Sequence, residues 1–300
     1  MKRLLEHDNV VGYVYLSPFI LGFLIFTLYP ILSSFYYSFT GYNLMESPNW
    51  IGLENYRTMF LDDEKLIKSL KVTFTYVFAS VPLRLGFALF VALLLYRTVS
   101  GAGFYRAAYY LPSLIGGSVA VSIMWIQVFG DQGLVNAMLG LIGIHTSMSW
   151  IGNPSTSLGT LIALSVWQFG SSMLIFLAGL KNIPQTYYEA ASVDGANRFQ
   201  RFFKVTIPLL SPIMLFNLIM QTISAFMTFT PAYVITRGEG GPLDTTLLYS
   251  LYLFRRAFTF FQMGYASAMA WVMLLIIGLI TFILFKTSVY WVHYESKGEK

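Results

Sequence analysis

The chain has 300 residues, of which 56% are hydrophobic and only 11% are charged, and its mean hydropathy is +0.62. A soluble domain usually carries about 25% charged residues, so the composition excludes an ordinary soluble protein and predicts a polytopic membrane protein. The net charge of +5 does not indicate nucleic-acid binding, because the basic residues cluster at the ends of apolar segments, where they suit membrane orientation and lipid headgroups.

Several kinds of chemistry are excluded by missing residues. The absence of cysteine rules out disulfides and thiolate metal sites. The three histidines are too dispersed along the sequence to indicate a metal site. No Gly-x-x-x-x-Gly-Lys-Ser/Thr sequence occurs, so we predict that the chain does not hydrolyse ATP by the usual route. We also predict no catalytic residues and no bound cofactor, because the sequence shows no nucleophile-base pair or metal cluster.

Apolar segments recur along the chain and predict an all-α fold with six transmembrane helices. Each is long enough to cross a hydrocarbon core of roughly 30 Å, which takes about 20 helical residues. The predicted spans are Tyr13 to Phe39, Val72 to Tyr96, Ala107 to Phe129, Leu158 to Leu180, Ile207 to Ile235 and Gly264 to Val289. The first run is too long for a signal peptide and lacks a small-residue cleavage site, so we predict that it is retained.

The connection after the first span is the longest polar segment, from Gly41 to Lys71. Its Trp50 and Tyr56 suit a membrane interface or a surface for a partner. A disordered connector is the alternative interpretation of this segment.

Arg84 lies near the middle of the second predicted span. A charge at that depth is costly, so the side chain should form a pair, face a cavity or extend to the interface. Both structural pairing and a role in transport are open at this point.

The positions of the basic residues predict that both termini are cytoplasmic. With the N-terminus inside, eleven Lys and Arg residues fall on the inner side and seven on the outer side. The inner residues are Lys2, Arg3, Arg97, Arg106, Lys181, Arg198, Arg201, Lys204, Lys286, Lys297 and Lys300. Cytoplasmic loops are enriched in basic residues, so the segment between the fourth and fifth spans should face the cytoplasm.

That segment is predicted to form a helix, a sharp turn and a second helix. Pro184 suits the first turn of a helix, and Gly195 suits the left-handed residue that ends one about eleven residues later. Asn197 is a good N-cap for a second helix through about Thr206. Pro208 should then mark the start of the fifth span.

The two predicted helices of this hairpin have different faces. Tyr187, Ala190 and Ala191 share a face by helical spacing, and the two alanines would let another protein approach closely. The second helix carries an apolar stripe beside basic residues, which suits packing beneath the spans. The stripe is Phe199, Phe202 and Phe203. A hairpin that only lies on lipid headgroups is the alternative.

Polar residues form seams along the fourth and fifth spans. Asn217, Gln221, Ser224 and Thr228 follow one another at helical spacing. Ser165, Gln168 and Ser172 do the same on the fourth span. Amides and hydroxyls would hydrogen-bond a hydroxyl-rich solute, so the candidate substrate path comprises Gln168, Ser172, Asn217, Gln221, Ser224 and Thr228. Hydrogen bonding between packed spans is the alternative role.

The hairpin resembles the cytoplasmic coupling loop of binding-protein-dependent ABC importer permeases. A Glu-Ala-Ala sequence begins at Glu189, Gly195 follows after three further residues, and an apolar-x-apolar-Pro sequence ends at Pro208. Three further sequences are similar to the maltose-type carbohydrate branch: Tyr110-Leu111-Pro112, Gly240-Gly241-Pro242 and Met263 to Ala268. The glycine run before Pro242 departs from that pattern, because Arg237 and Glu239 interrupt it.

The resemblance implies a type I ABC importer permease bundle in a bacterial or archaeal cytoplasmic membrane. It implies an extracytoplasmic solute-binding protein, a second permease subunit that is expected to be a different chain, and a dimer of ATPase subunits that use ATP and Mg. The ATPase-docking surface would consist of Tyr187, Glu189, Ala190, Ala191, Asp194 and Gly195. The implied function is ATP-driven import of a sugar or oligosaccharide by alternating access.

The predicted domain organisation follows from these elements. Residues 1–71 hold the first span and the outer loop, residues 72–295 form the core permease domain with the coupling loop at 181–208, and residues 296–300 form a cytoplasmic tail. The rival functions are an ion-coupled secondary carrier, which would place ionisable residues or broken helices deep in the membrane, and a permease for glycerol phosphate or another polar solute. An intramembrane enzyme has no candidate nucleophile or metal cluster.

Overall fold

A computed structural model describes residues 8–96 and 101–293, with side chains from Gly12 onward. The α-helices of the first half are α1 (Asp8–Phe23), α2 (Tyr29–Tyr37), α3 (Glu54–Leu61), α4 (Glu64–Tyr96), α5 (Ala102–Ile115), α6 (Val119–Phe129) and α7 (Leu134–Leu141). Those of the second half are α8 (Ser157–Trp167), α9 (Gly170–Asn182), α10 (Gln185–Val193), α11 (Arg198–Arg201), α12 (Ile207–Phe226), α13 (Thr230–Thr236), α14 (Tyr249–Phe254) and α15 (Met263–Trp291). β-Pairing in the described ranges is limited to one isolated bridge between Thr40 and Trp50, which confirms the predicted all-α class.

The described helices supply four candidate spans, or the predicted six if each of two bent helix pairs is one span. Four helical segments are long and apolar enough to cross a membrane, and two bent pairs of helices raise the number to six. The single segments are Gly12–Tyr37, Glu64–Tyr96, Arg198–Thr236 and Met263–Trp291. The bent pairs are Ala102–Ile115 with Val119–Leu141, and Ser157–Trp167 with Gly170–Asn182.

The second span begins earlier than the sequence predicted. α4 runs for 33 residues from Glu64 to Tyr96, so the loop after the first span ends at Asp63 rather than at Lys71. Its first two turns are polar, and a criterion based on apolar length misses them. The loop also contains α3, and the interpretation of this segment as a disordered connector was wrong.

The third span is not the single helix predicted from Ala107 to Phe129. α5 and the segment that starts with α6 are bent by 99° at the break between them. Glycine is a poor helix former, and Gly116 and Gly117 stand at the break. The Ser118 hydroxyl then accepts a hydrogen bond from the Val121 N–H at 3.3 Å, which caps the new helix.

The fifth span also differs from its prediction. The second helix of the hairpin does not stop at Thr206, because α11 continues through a π-helical turn, Phe202–Thr206, directly into α12. Pro208 therefore lies within the first turn of α12 and does not follow a loop. Further along, non-helical backbone at Met227 to Phe229 separates α12 from α13.

One compact unit comprises the residues up to Asp63 together with Leu253–Leu275. The Asp63 carboxylate accepts hydrogen bonds from Arg256 at 2.7 Å and from the Tyr265 hydroxyl at 2.6 Å. The Asn55 amide donates to the backbone carbonyls of Ser38 and Thr40, both at 2.9 Å. These buried contacts order the outer loop within this unit.

The other compact unit comprises Glu64–Tyr252 and the residues from Ile276 onward. Its centre is the packing of α4, α9 and α12. The buried apolar residues there are Ala88, Val91, Ala92, Leu95, Phe169, Met173, Phe176, Leu177, Leu180, Ile183 and Leu210. Between membrane spans, association comes from van der Waals packing and interhelical hydrogen bonds rather than from removal of apolar surface from water, so this close-packed core holds the helices that carry both candidate sites.

Some sequence predictions fall outside the described residues. These are the cytoplasmic tail at 296–300 and the basic residues Lys2, Arg3, Arg97, Lys297 and Lys300.

Candidate functional site

The segment between α9 and α12 forms the predicted helix, turn and helix. The sequence predicted Pro184 in the first turn of a helix, but α10 covers Gln185–Val193 and Pro184 is its N-cap residue, with extended backbone. Gly195 has φ +76°, the left-handed conformation that glycine adopts without steric cost. The Gly195 N–H bonds to the Ser192 carbonyl at 3.1 Å and the Ala196 N–H bonds to the Ala191 carbonyl at 2.9 Å, the paired bonds of a Schellman C-cap.

The second helix of the hairpin starts with a complete capping box. The Asn197 side chain accepts from the Gln200 N–H, and the Gln200 side chain accepts from the Asn197 N–H, both at 2.9 Å. Two backbone donors that would otherwise lack partners are satisfied in this way. Both ends of the turn are therefore fixed by local hydrogen bonds.

Side-chain contacts hold the two helices of the hairpin together. Arg201 donates to the Ser192 hydroxyl at 2.8 Å, and the Tyr188 and Thr206 hydroxyls lie 3.0 Å apart. Burial raises the pKa of the Tyr188 phenol, so this group remains protonated and able to donate at neutral pH. These contacts fix α10 against the second helix of the hairpin.

The predicted docking residues lie mostly on the exposed surface of this hairpin. Five are exposed and one, Ala191, is half-buried. The exposed residues are Tyr187, Glu189, Ala190, Asp194 and Gly195. This distribution leaves a small-residue surface with two carboxylates open to a second protein.

The opposite side of the hairpin borders a cavity of about 720 Å³. Its wall includes Leu93 and Leu180 from the ends of α4 and α9, and Phe202 from the hairpin. Of the predicted apolar stripe, Phe202 is half-buried, whereas Phe199 is 70% and Phe203 51% exposed. Only part of the stripe therefore packs beneath the spans.

A second cavity, of about 420 Å³, lies among the spans. Three helix breaks meet at its wall: Gly117 between α5 and α6, Gln168 between α8 and α9, and Thr228 between α12 and α13. Non-helical backbone at membrane depth is tolerated where it is buried in protein or lines a polar cavity. We call this space the break cavity.

The break cavity contains some of the predicted path residues but not all of them. Gln168, Ser224 and Thr228 line it, together with Ser165 from the same predicted seam. The remaining path residues, Ser172, Asn217 and Gln221, are not among the described residues of its wall. Ser172 and Asn217 are instead almost completely buried, with 0% and 1% exposure, and the Asn217 amide donates to the Ile213 carbonyl of its own helix at 3.2 Å.

Arg84 also lines the break cavity. Its guanidinium donates to the Gln168 backbone carbonyl at 2.6 Å, and the Ser113 hydroxyl donates to the same oxygen at 3.0 Å. A carbonyl at the end of α8 has no continuing helix to supply its partner. Arg84 therefore stabilises the bend between α8 and α9 while facing the cavity.

Sequence analysis missed two other contributors to this wall. Gly117 and the backbone around Met227 and Phe229 line the cavity, but their role depends on where the helices break. The Gly116-Gly117-Ser118 sequence was a detectable signal for one of these breaks. Pro231, in the first turn of α13, was a comparable signal for the break at Met227, because a proline removes the helical hydrogen bond to the carbonyl four residues earlier.

Comparison with known proteins decides the family. The family described as "Binding-protein-dependent transport system inner membrane component" matches residues 64–292. This chain belongs to that family. It is a membrane-embedded permease subunit of an ABC importer, as the resemblance of the hairpin implied.

Individual relatives agree with this assignment. The permease is 67% identical over 298 residues to the probable ABC transporter permease protein YesP of Bacillus subtilis (strain 168), covering 99% of this chain and 96% of the relative. It is 32% identical over 292 residues to the arabinooligosaccharides transport system permease protein AraP of the same organism, covering 96% and 91%. It is also 31% identical to the trehalose/maltose transport system permease protein MalF of Thermococcus litoralis, covering 94% and 92%.

A solved structure shares the fold. The crystal structure of a bacterial ABC transporter involved in the import of the acidic polysaccharide alginate contains a chain that matches with a TM-score of 0.77, covering 99% of this permease and 98% of that chain. Sequence identity is 22%, so the match establishes the type I permease fold alone.

Proposed function

We propose that this permease moves an oligosaccharide into the cytoplasm, driven by ATP hydrolysis in partner subunits. The observation that carries the proposal is the hairpin fixed by local hydrogen bonds, with Glu189 and Ala190 exposed, in a chain whose family is described as binding-protein-dependent. Relatives at 31–32% identity over more than 90% of this chain are named for arabinooligosaccharides and for trehalose and maltose. The hydroxyl and amide groups of the break cavity suit such solutes.

The hairpin is proposed as the docking site of the ATPase. The bundle is therefore oriented with both termini and residues 181–208 in the cytoplasm, in the bacterial or archaeal cytoplasmic membrane, with residues 72–295 as the transporting core. Two ATPase subunits, which bind ATP and Mg, would contact this permease and a second permease through such hairpins. An extracytoplasmic binding protein would deliver the solute.

Within this arrangement α10 transmits force because it cannot move independently of the fifth span. Its C-cap, the capping box at Asn197 and the Tyr188–Thr206 contact tie it to the helix that continues into α12. A push on Glu189 and Ala190 would move the fifth span, whose break at Thr228 lines the cavity. ATP and loaded binding protein would each shift the bundle between two states.

The experiment is ATP-dependent uptake by proteoliposomes that contain both permeases and the ATPase, with an oligosaccharide-loaded binding protein outside. Glu189→Ala should lower uptake per ATP hydrolysed by roughly tenfold, which corresponds to about 1.4 kcal/mol of lost coupling. Lys204→Gln is the matched control, because Lys204 is an exposed charge on the same hairpin outside the docking surface. It should leave the ratio within about twofold.

The outcomes separate coupling from folding. Both variants must be recovered from the membrane with thermal unfolding temperatures close to that of the unmodified permease. Normal coupling in Glu189→Ala would remove the docking role, and uptake without any ATPase subunit, driven by an ion gradient, would overturn the proposed function.

A further inference from the structure

We infer that the break cavity selects a saccharide carrying a single carboxylate, a uronate, and that Arg84 is the residue that recognises it. This inference rests on the proposed function and specifies its substrate class. It depends on the charge, the contacts and the position of one side chain.

Arg84 is too deep for its side chain to reach the membrane surface. It precedes Tyr96, the last residue of α4, by twelve positions, or about 18 Å at 1.5 Å per residue. A guanidinium on a side chain of about 6–7 Å cannot extend over that distance to the interface. Its charge must therefore be compensated within the bundle or by what the bundle binds.

The described part of this chain supplies no counter-ion. The ion pairs described for it are Lys68 with Asp244 and Arg256 with Asp63, and Arg84 takes part in neither. The break-cavity wall contains no Asp or Glu. The cationic charge of Arg84 is thus uncompensated where it faces the cavity.

The hydrogen bonds of Arg84 are also incomplete. A guanidinium has five N–H donors, and the bond described for Arg84 is the one to the Gln168 carbonyl. Its Nε is buried without a hydrogen-bond partner among the described residues. The bond to a neutral carbonyl accounts for a structural role at the α8 bend, but it leaves both the charge and most of the donors for a ligand.

A uronate matches these features better than a neutral sugar or a phosphate. One carboxylate balances one guanidinium, and such charge-assisted bonds are about twice as strong as neutral ones. A phosphate monoester carries a charge of about −1.5 to −2 at pH 7. This charge exceeds the single positive charge of Arg84. The neighbouring Ser165, Gln168, Ser224 and Thr228 would bind the hydroxyls of the sugar, and 420 Å³ lies within the usual range for small-ligand sites.

The test is equilibrium binding to the purified complex of both permeases and the ATPase in nanodiscs, without the binding protein. The probes are an aldobiouronic acid, which has one uronate and one neutral sugar, its methyl ester, and glycerol 3-phosphate. The acid should bind roughly tenfold or more tightly than its ester, the ratio expected for one charge-assisted hydrogen bond. Arg84→Lys should keep much of this preference, and Arg84→Met should abolish it.

A second variant keeps the inference testable if Arg84→Met does not fold. Gln168→Glu has nearly the same shape and adds a carboxylate to the cavity wall that Arg84 also lines, without removing the Arg84 bond to the backbone carbonyl. It should cancel the preference for the acid over the ester. Loss of both ligands by equal factors in Arg84→Met would instead indicate a purely structural arginine and overturn the inference.

Several results would contradict the inference directly. These are equal binding of acid and ester by the unmodified complex, binding of neither, a preference for glycerol 3-phosphate, or an unchanged preference in Gln168→Glu. If the second permease supplied a counter-ion for Arg84, the acid and the ester would bind equally. ATP-driven uptake of a neutral oligosaccharide without any charge preference would sink this inference while leaving the proposed function intact.

Discussion

At the scale of single residues, the turn of the hairpin depends on Gly195. A β-branched residue in the left-handed conformation of Gly195 is strained, and the cost for ordinary residues is roughly 1–2 kcal/mol. We predict that Gly195→Val loosens the turn and lowers uptake per ATP hydrolysed, because α10 can then move without the fifth span. Coupled uptake in proteoliposomes measures this effect.

Gly195→Asn provides the matched control, because asparagine tolerates the left-handed region better than other non-glycine residues. It should retain clearly more coupling than Gly195→Val. Equal losses in the two variants would contradict the role assigned to the φ angle, because a Cβ at Gly195 would meet nothing within 4 Å.

The bend of the third span makes a second prediction at this scale. A Cβ on Gly116 would lie 2.3 Å from the Gln168 side chain and 2.6 Å from the Pro112 carbonyl oxygen, whereas one on Gly117 would meet nothing within 4 Å. Overpacking typically costs about 1–3 kcal/mol. Gly116→Ala should therefore lower the thermal unfolding temperature of the permease in detergent.

The neighbouring variant is the control for this prediction. Gly117→Ala should leave the unfolding temperature close to that of the unmodified permease, because a Cβ there meets no neighbouring atom and a substitution without such a conflict usually changes stability by less than about 0.5 kcal/mol. A larger destabilisation by Gly117→Ala than by Gly116→Ala would show that α5 and α6 are not arranged as described.

At the scale of elements, the hairpin is held by the Tyr188–Thr206 contact. Removing one hydroxyl should cost about 0.5–1.5 kcal/mol, so Tyr188→Phe should speed amide hydrogen exchange in α10. Tyr187→Phe is the control, because Tyr187 lies exposed on the docking surface with no described bond from its hydroxyl. Unchanged exchange in Tyr188→Phe would mean that the capping bonds alone fix α10.

The same contact predicts how the hairpin responds to pH. The pKa of Tyr188 is raised in the folded chain, so its contribution to stability is present below the unfolded value of about 10 and is lost as pH rises through the folded value. Once the base-catalysed rise of intrinsic amide exchange is divided out, the protection of α10 should show no Tyr188 titration near neutral pH and should fall only above about pH 10.

Sequence reasoning was most successful where an element is specified by its own residues. Pro184, Gly195 and Asn197 act on backbone groups a few positions away, and the predicted helix, turn and helix were confirmed. It failed where neighbouring elements decide the outcome. Arg84 meets a carbonyl 84 positions away, and Asp63 meets an arginine 193 positions away, separations over which a single sequence carries no pairing signal.

The break cavity illustrates the same limit. Helical spacing placed Ser224 and Thr228 on one face of the fifth span, and both line the cavity, but the same spacing also selected Asn217 and Gln221, which are not in its described wall. The helix ends at Met227 to Phe229, and the cavity forms at that break. Broken helices were expected for a carrier, yet they occur in this ABC permease.

At the scale of the whole molecule, the central claim is that a chain without a nucleotide site receives work through one hairpin. The sequence makes this directly measurable, because it contains no cysteine and any introduced thiol is unique in this subunit. Ala190→Cys places that thiol at an exposed position of α10.

The decisive measurement is labelling of Ala190→Cys by a membrane-impermeant maleimide. The account predicts no labelling in intact cells, labelling in inside-out vesicles stripped of the ATPase, and protection from labelling when purified ATPase is added back. Labelling from outside intact cells, or labelling that the ATPase does not reduce, would contradict it.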